Sequence, residues 1–128
     1  MARTRSLAVT MTKLGTLQWV APEVLRDERY SEKADIYSFA ILVWELVARA
    51  VPYVGQNSLM VARAVAYKSL RPVIPDTCPE FFRDLMMTCW TDNASERPSF
   101  PEILALLDGI TSETANSWPP FVDLSRKK

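Results

Sequence analysis

Apolar residues recur along this 128-residue chain in blocks of helical period, separated by charged or proline-rich breaks. No segment alternates apolar and polar positions between turn signals, as a half-buried strand would. Residues 1–14 carry hydroxyls and cations with neither period, which predicts a surface segment closed by Gly15. Pro22 suits a first helical turn, and a short helix is predicted through Leu25 before a charged turn at residues 26–29. Ser31 can cap the next helix, in which apolar residues at positions 34–48 occupy nearly every face rather than one stripe. Such a helix belongs at the centre of a domain, covered all round.

Pro52 ends that region, and Asn57 or Ser58 can cap a further helix with Leu59, Ala62 and Val65 at helical spacing. Pro72, Pro75 and Pro79 exclude a continuous helix across residues 70–79. Pro79, at a first helical position with Glu80 behind it, opens a helix whose inward face is Phe82, Leu85, Met86 and Cys89. Ser99 and Glu102 have the spacing of a capping box, ahead of a helix with Ile103, Leu104, Leu107 and Ile110 on one side and Gly109 near its end. Residues 111–128 read as a tail in which Trp118 and Phe121 are candidate anchors. The architecture predicted is mainly α, with no internal repeat.

Composition narrows the function classes. Lys plus Arg and Asp plus Glu both number 15, so no net field favours nucleic acid or an anionic membrane. The longest apolar run, residues 36–46, contains Ser38 and Glu45 and is far shorter than the roughly 20 residues a bilayer core requires. No membrane segment and no signal peptide are expected, and a cytoplasmic location follows. The chain has two cysteines, Cys78 and Cys89, and no histidine, which predicts buried reduced thiols rather than a disulfide framework or a zinc set. Absence of histidine also removes the commonest general base and the Ser-His-Asp mechanism.

The stretch Gly15-Thr16-Leu17-Gln18-Trp19-Val20-Ala21-Pro22-Glu23 resembles the end of a protein-kinase activation segment, which an Ala-Pro-Glu signature closes. Asp35-Ile36-Tyr37-Ser38-Phe39-Ala40 then resembles the start of the kinase central helix. Trp44-Glu45-Leu46, Val51-Pro52-Tyr53, Leu70-Arg71-Pro72, Cys78-Pro79, Cys89-Trp90 and Arg97-Pro98-Ser99-Phe100 continue the match in order. The last two elements look like tyrosine kinases and the tyrosine-kinase-like group of serine/threonine kinases. Two positions depart from the pattern: Ala40 stands where the family has glycine and Ala94 where proline is usual. The resemblance implies the C-terminal half of the large helical lobe of a protein-kinase-like fold. It divides the chain into an activation-segment remnant at 1–14, a kinase-domain part at 15–110 and a C-terminal tail at 111–128.

The same resemblance implies roles. Glu23 would pair with Arg97 in a buried ion pair, the alternative being two separate surface charges. Thr16 would contact the substrate site by hydrogen-bonding to the catalytic aspartate and lysine, and Trp19, Val20, Ala21 and Pro22 would line the pocket beside the phosphoacceptor, although Trp19 is equally suited to the core. Asp35 would anchor the backbone of the catalytic loop, while as an acid near the front of an apolar helix it can also serve as a cap. Thr4, Ser6, Thr10 and Thr12 are candidate phosphorylation sites, because added phosphate orders such segments through nearby arginines; the plain alternative is a solvated polar loop. Leu17-Gln18-Trp19 lacks the proline that tyrosine kinases carry before Ala-Pro-Glu, which favours serine/threonine specificity.

Phosphoryl transfer in this family needs a glycine-rich lid with a lysine, a catalytic-loop Asp and Asn, and an Asp-Phe-Gly for magnesium. None occurs in these 128 residues, whose glycines are only Gly15, Gly55 and Gly109. No catalytic residue and no metal ligand is therefore assigned within the chain, and ATP and Mg are expected of the intact family member alone. N-lobe and catalytic loop being absent from the sequence, the start Met1-Ala2-Arg3 resembles residues that follow Asp-Phe-Gly, and truncation is the expected reason. Two functions compete: part of an active serine/threonine kinase in signal transduction, or a non-catalytic, pseudokinase-like module. In either, the large lobe would bind a protein substrate or regulatory protein, the second reading using residues 57–71, a docking region in similar kinases.

Overall fold

The computed structural model describes residues 17–110. The sites proposed at Thr4, Ser6, Thr10, Thr12 and Thr16, and the anchors Trp118 and Phe121, lie outside the described residues. A single 3₁₀ turn, Leu17–Trp19, leads into Ala21, which is extended at φ −63° and ψ 148°. Proline imposes that conformation on the residue before it. Pro22 then opens α1 (Pro22–Leu25), whose four residues end at the turn carrying Asp27 in the left-handed region at φ 59°.

The central helix α2 (Lys33–Ala48) is about 24 Å long at 1.5 Å per residue. Its entry differs from expectation. The residue before the helix is Glu32, already right-handed and making no side-chain cap bond, while the Ser31 hydroxyl accepts from the Lys33 N–H at 3.1 Å. Serine thus closes the turn one residue ahead of the cap position. At the far end Arg49 turns left-handed, φ 55°, and its N–H returns to the Glu45 carbonyl at 2.7 Å.

Asn57, rather than Ser58, caps α3 (Ser58–Lys68), its Oδ1 accepting from the Met60 N–H at 3.0 Å. Left-handed Ser69 ends that helix, and Pro72 follows too closely for it to resume. Pro79 sits at the cap of α4 (Glu80–Cys89) and not in its first turn as expected, its carbonyl accepting from the N–H groups of Phe82 and Arg83 at 3.1 Å each. Before α5 (Phe100–Asp108) a 3₁₀ turn, Ala94–Glu96, is capped by Asn93. Both halves of the capping box of α5 are formed: Ser99 N–H to Glu102 Oε1 at 2.8 Å, and Glu102 N–H to Ser99 Oγ at 3.2 Å. All regular elements among the described residues are helical.

Packing is centred on α2. Its Ile36, Tyr37, Ile41 and Trp44 meet Leu85, Met86 and Cys89 of α4 and Ile103 of α5 in one buried cluster. Full burial of each such side chain contributes roughly 1.5–3 kcal/mol, so this cluster dominates the stability of the described region. The turn Leu17–Trp19 lies against α2 as well, and α3 packs chiefly on that turn and on α1. The indole N–H of Trp44 donates to the Val73 carbonyl at 2.8 Å and ties the proline loop to the central helix. Both cysteines are free and buried.

Three inward-facing expectations are corrected. Leu46 of α2 is 69% exposed, Leu59 of α3 69% and Leu104 of α5 61%. Leu46 lies with Leu42 on the one side of α2 that no described element covers, its other sides being buried, while Leu59 and Leu104 lie on the sides of α3 and α5 turned away from the buried cluster. On α3 the buried stripe is Val61, Val65 and Ala66, so that of the expected Leu59, Ala62 and Val65 only Val65 lies fully on it. On α5 Ile103 and Leu107 make the contact, an i, i+4 pair that turns Leu104 outward.

Candidate functional site

The segment from Leu17 to Glu23 is tied to α2 by two hydrogen bonds at Trp19. The Ser38 hydroxyl of α2 donates to the Trp19 carbonyl at 2.5 Å, and the Trp19 indole N–H donates to Glu45 Oε1 at 2.6 Å. One aromatic residue is therefore held on α2 by its backbone and its ring at once. Val20, Ala21 and Pro22 follow with their side chains fully buried, and Trp19 is half-buried against the core. Of the residues assigned to a phosphoacceptor pocket, these four lie together, and what they offer a ligand is backbone shape rather than exposed side chains.

Glu23, in the first turn of α1, meets Arg97 in a two-pronged pair: Nη1 to Oε2 at 2.8 Å and Nη2 to Oε1 at 2.9 Å. The side chains are 7% and 0% exposed, so both charges are out of water. Such a pair persists only if the remaining donors are also satisfied. They are. Arg97 Nε donates to the Thr91 carbonyl at 2.9 Å, Nη1 also to the Lys33 carbonyl at 2.9 Å, and Nη2 also to the Asp92 carbonyl at 3.3 Å. All five guanidinium N–H groups thus have acceptors. Lys33 completes the arrangement by donating its ammonium to the Arg97 carbonyl.

Two arginines approach the Tyr37 ring, Arg71 at 5.0 Å and Arg97 at 5.4 Å from its centroid. Burial pushes its hydroxyl up to about 12, the two guanidinium charges pulling weakly the other way. Arg71 also donates Nε to the Trp90 carbonyl at 2.9 Å and approaches Asp92 at 3.7 Å. Asp92 in turn faces Arg26 at 3.5 Å, and Arg26 donates to the Ala66 carbonyl of α3 at 2.6 Å. Glu23 and Arg26 lie one helical turn apart, so this run of contacts closes on itself and holds α1 at both ends.

Asp35 lies in the first turn of α2, half-buried and two residues inside the helix rather than at its cap. There a carboxylate still meets the positive end of the helix. Burial pushes the Cys89 thiol up to about 11 and raises that of Cys78, which keeps both protonated at neutral pH. Among the described residues no group of three His, Cys, Asp or Glu is placed to hold a metal ion. No helix there is long and apolar enough to cross a membrane. Sequence reasoning missed the role of Glu45 and the stacking of Arg71 on Tyr37. The signals were present in Trp44-Glu45-Leu46 and Leu70-Arg71-Pro72, but neither string says which distant residue it meets.

The family model described as protein tyrosine and serine/threonine kinase matches residues 2–107. The chain belongs to that kinase family. Its helices are those of the helical lobe of the kinase fold, with α2 at the centre. This kinase chain is 45% identical over 113 residues to the probable serine/threonine-protein kinase drkD of Dictyostelium discoideum, covering 88% of the chain and 9% of that protein. It is 39% identical over 119 residues to mitogen-activated protein kinase kinase kinase 11 of Homo sapiens, covering 93% of the chain and 14% of the relative. Similarity to the serine/threonine/tyrosine-protein kinase HT1 of Arabidopsis thaliana is 40% over 95 residues, 74% of the chain and 24% of that kinase. The kinase chain thus spans less than a quarter of the length of each of these relatives.

Proposed function

We propose that this chain forms the substrate-facing part of the large lobe of a tyrosine-kinase-like serine/threonine kinase. The intact parent would act in cytoplasmic signal transduction, transferring the γ-phosphate of MgATP to serine or threonine hydroxyls of protein substrates. The observation that carries this reading is the buried fork between Glu23 and Arg97. It fixes α1, and through Ala21 and Pro22 it fixes the backbone of the Trp19 segment directly after Thr16. Positioning of this kind is what phosphoryl transfer demands of the protein, because in-line geometry and charge placement supply most of the rate.

ATP would supply the electrophilic phosphorus and magnesium would neutralise the phosphate charge, and the described residues offer them neither a phosphate loop nor a carboxylate cluster. Their sites belong to parts of the parent beyond residues 17–110. The 128-residue chain by itself accordingly does not transfer phosphate, which isothermal calorimetry with MgATP and a radiolabel transfer assay check directly. Saturable nucleotide binding with transfer that survives removal of contaminating kinases would overturn that statement.

The parent activity is tested by joining this segment to the complete upstream half of a closely similar kinase and analysing the phosphoamino acids formed on a mixed peptide library. Phosphoserine and phosphothreonine are expected, with Thr16→Ala lowering turnover more than MgATP affinity, as loss of a positioning contact should. Predominant phosphotyrosine overturns the serine/threonine assignment. A folded chimera that binds MgATP and transfers nothing overturns the active parent and leaves the non-catalytic module.

A further inference from the structure

Tyr37, in the second turn of α2, is fully buried, and Tyr53, in the loop that follows the helix, is 8% exposed; both belong to the central cluster. Neither hydroxyl has a hydrogen-bond partner among the described residues, and no other buried side-chain nitrogen or oxygen there is left in that condition. Tyr53 also holds its backbone left-handed at φ 59°, where a bulky residue is an outlier. Burial pushes its hydroxyl up, with Tyr37 adding to the shift and Arg71 opposing it, so both neighbours lie within electrostatic reach. Arg71, over the Tyr37 ring, has donors to spare. Its Nε goes to the Trp90 carbonyl and its Nη1 to the Leu70 carbonyl, while Nη2 stands 3.7 Å from Asp92, beyond hydrogen-bond reach. The Arg97 guanidinium, by contrast, has all of its N–H groups engaged.

We propose that Tyr37, Tyr53 and Arg71 form a site for one internal water molecule, which joins the two hydroxyls and accepts from an Arg71 N–H. The donor set selects that ligand. Two phenols that both donate and accept, beside a guanidinium that only donates, match a neutral molecule with two donors and two acceptors. An anion is disfavoured, because Asp92 already faces the Arg71 charge. The packed surroundings of two buried rings leave no room for a larger ligand. Buried waters have roughly two to four polar partners and occur at about one per 27 residues, so a region the size of residues 17–110 should hold about three. Dry, each unpaired hydroxyl would lower the folding constant by about tenfold. A strained backbone such as that of Tyr53 persists only where its surroundings hold it, and a bridged hydroxyl supplies such a hold. The water joins α2, the loop carrying Tyr53 and the proline loop carrying Arg71. Through the Tyr37 ring it also backs Arg97, 5.4 Å away, and so the fork to Glu23. The site stands independently of phosphate transfer.

The test is magnetic relaxation dispersion of the full 128-residue chain in water enriched in oxygen-17, which counts waters held longer than the molecule takes to tumble. Tyr37→Phe and Tyr53→Phe should each remove about one such water relative to the unsubstituted chain, and Tyr67→Phe, at an exposed position, should remove none. In urea titrations each of the two buried substitutions should raise the unfolding constant by about fivefold. Combined, they should raise it by less than the product of the single effects, because they share one water. Equal or greater stability on removal of either hydroxyl would overturn the proposal, since that is what a dry, unpaired hydroxyl predicts. So would a loss of stability with the dispersion unchanged, which assigns the hydroxyls to protein partners. Either variant reads the site alone. If neither folds, a crystal structure of the unsubstituted chain decides: an ordered water within about 3.2 Å of both hydroxyl oxygens is expected, and two dry hydroxyls overturn the site.

Discussion

Replacing Arg97 with alanine should be among the most damaging single changes available in this chain. The guanidinium is fully buried and serves a carboxylate and three backbone carbonyls, so truncation strands the Glu23 charge and orphans the acceptors on Thr91, Lys33 and Asp92. Breaking one side of a buried ion pair costs about 3–5 kcal/mol, a large part of the 5–15 kcal/mol that holds a typical domain. With a urea slope of about 1–2 kcal/mol/M, the midpoint moves by about 1.5–5 M, or the variant is unfolded without denaturant. Arg83→Ala is the control. Arg83 makes one bond, to the Pro75 carbonyl at 3.1 Å, and its loss should cost about 1 kcal/mol. Glu23→Leu placed on top of Arg97→Met should recover part of the loss, because an apolar pair removes the stranded charge. Urea titrations at pH 7 followed by far-UV circular dichroism read all of these. Equal midpoints for Arg97→Ala and Arg83→Ala would refute the reasoning.

Three further outcomes are expected. Both the Cys89 thiol, raised from 9.0 to about 11, and the Tyr37 hydroxyl, raised from 10.0 to about 12, hold their protons longer folded than unfolded. Their contribution is complete below about pH 9 and is lost as pH rises to about 12, about 2–3 kcal/mol for each group; an unchanged urea midpoint between pH 8 and pH 11 contradicts it. Glu45→Leu leaves the Trp19 indole N–H without an acceptor and should cost about 1–3 kcal/mol, while Glu45→Gln keeps a carbonyl acceptor and should cost less than half as much in the same titration. Ser99→Ala should cost about 1 kcal/mol through loss of the α5 cap, and Ser99→Asp, which preserves an acceptor, should restore most of the thermal midpoint.

Local chemistry was legible in the sequence where one or two neighbouring residues settle the matter. Ser99 with Glu102, the helix start at Pro22 and the broken helix at Pro72 and Pro75 are of this kind, because a cap, a fixed φ or a missing N–H acts within one turn. The apolar face of α4 was legible too, since Leu85, Met86 and Cys89 recur at one period on a helix whose opposite side is polar. Leu46, Leu59 and Leu104 were not. On a helix with apolar residues on several faces, periodicity cannot say which face a neighbour will cover, and that depends on packing partners distant in the chain. The same holds at the site: the Glu23–Arg97 pairing was suggested by family resemblance, while Trp19–Glu45 and the approach of Arg71 and Arg97 to Tyr37 needed three-dimensional placement. Ser31 and Asp35 show the limit of cap rules, which name suitable residue types and leave their register to within a residue or two.

The Glu23–Arg97 fork joins residues 74 positions apart. Closing a loop of that length costs chain entropy of about 4 kcal/mol before the contact returns anything. A fork so placed is expected to form after the rate-limiting step, once α2 and α4 have already brought its partners close. Variants of Arg97 should then fold at nearly the normal rate and unfold much faster, so that the pair acts as a latch on the folded state rather than as part of the folding nucleus. In stopped-flow chevrons the unfolding arm should rise while the folding arm stays in place. For this chain the consequence is persistence: the interval for which the Trp19 segment keeps its shape between opening events is set by how slowly that latch lets go.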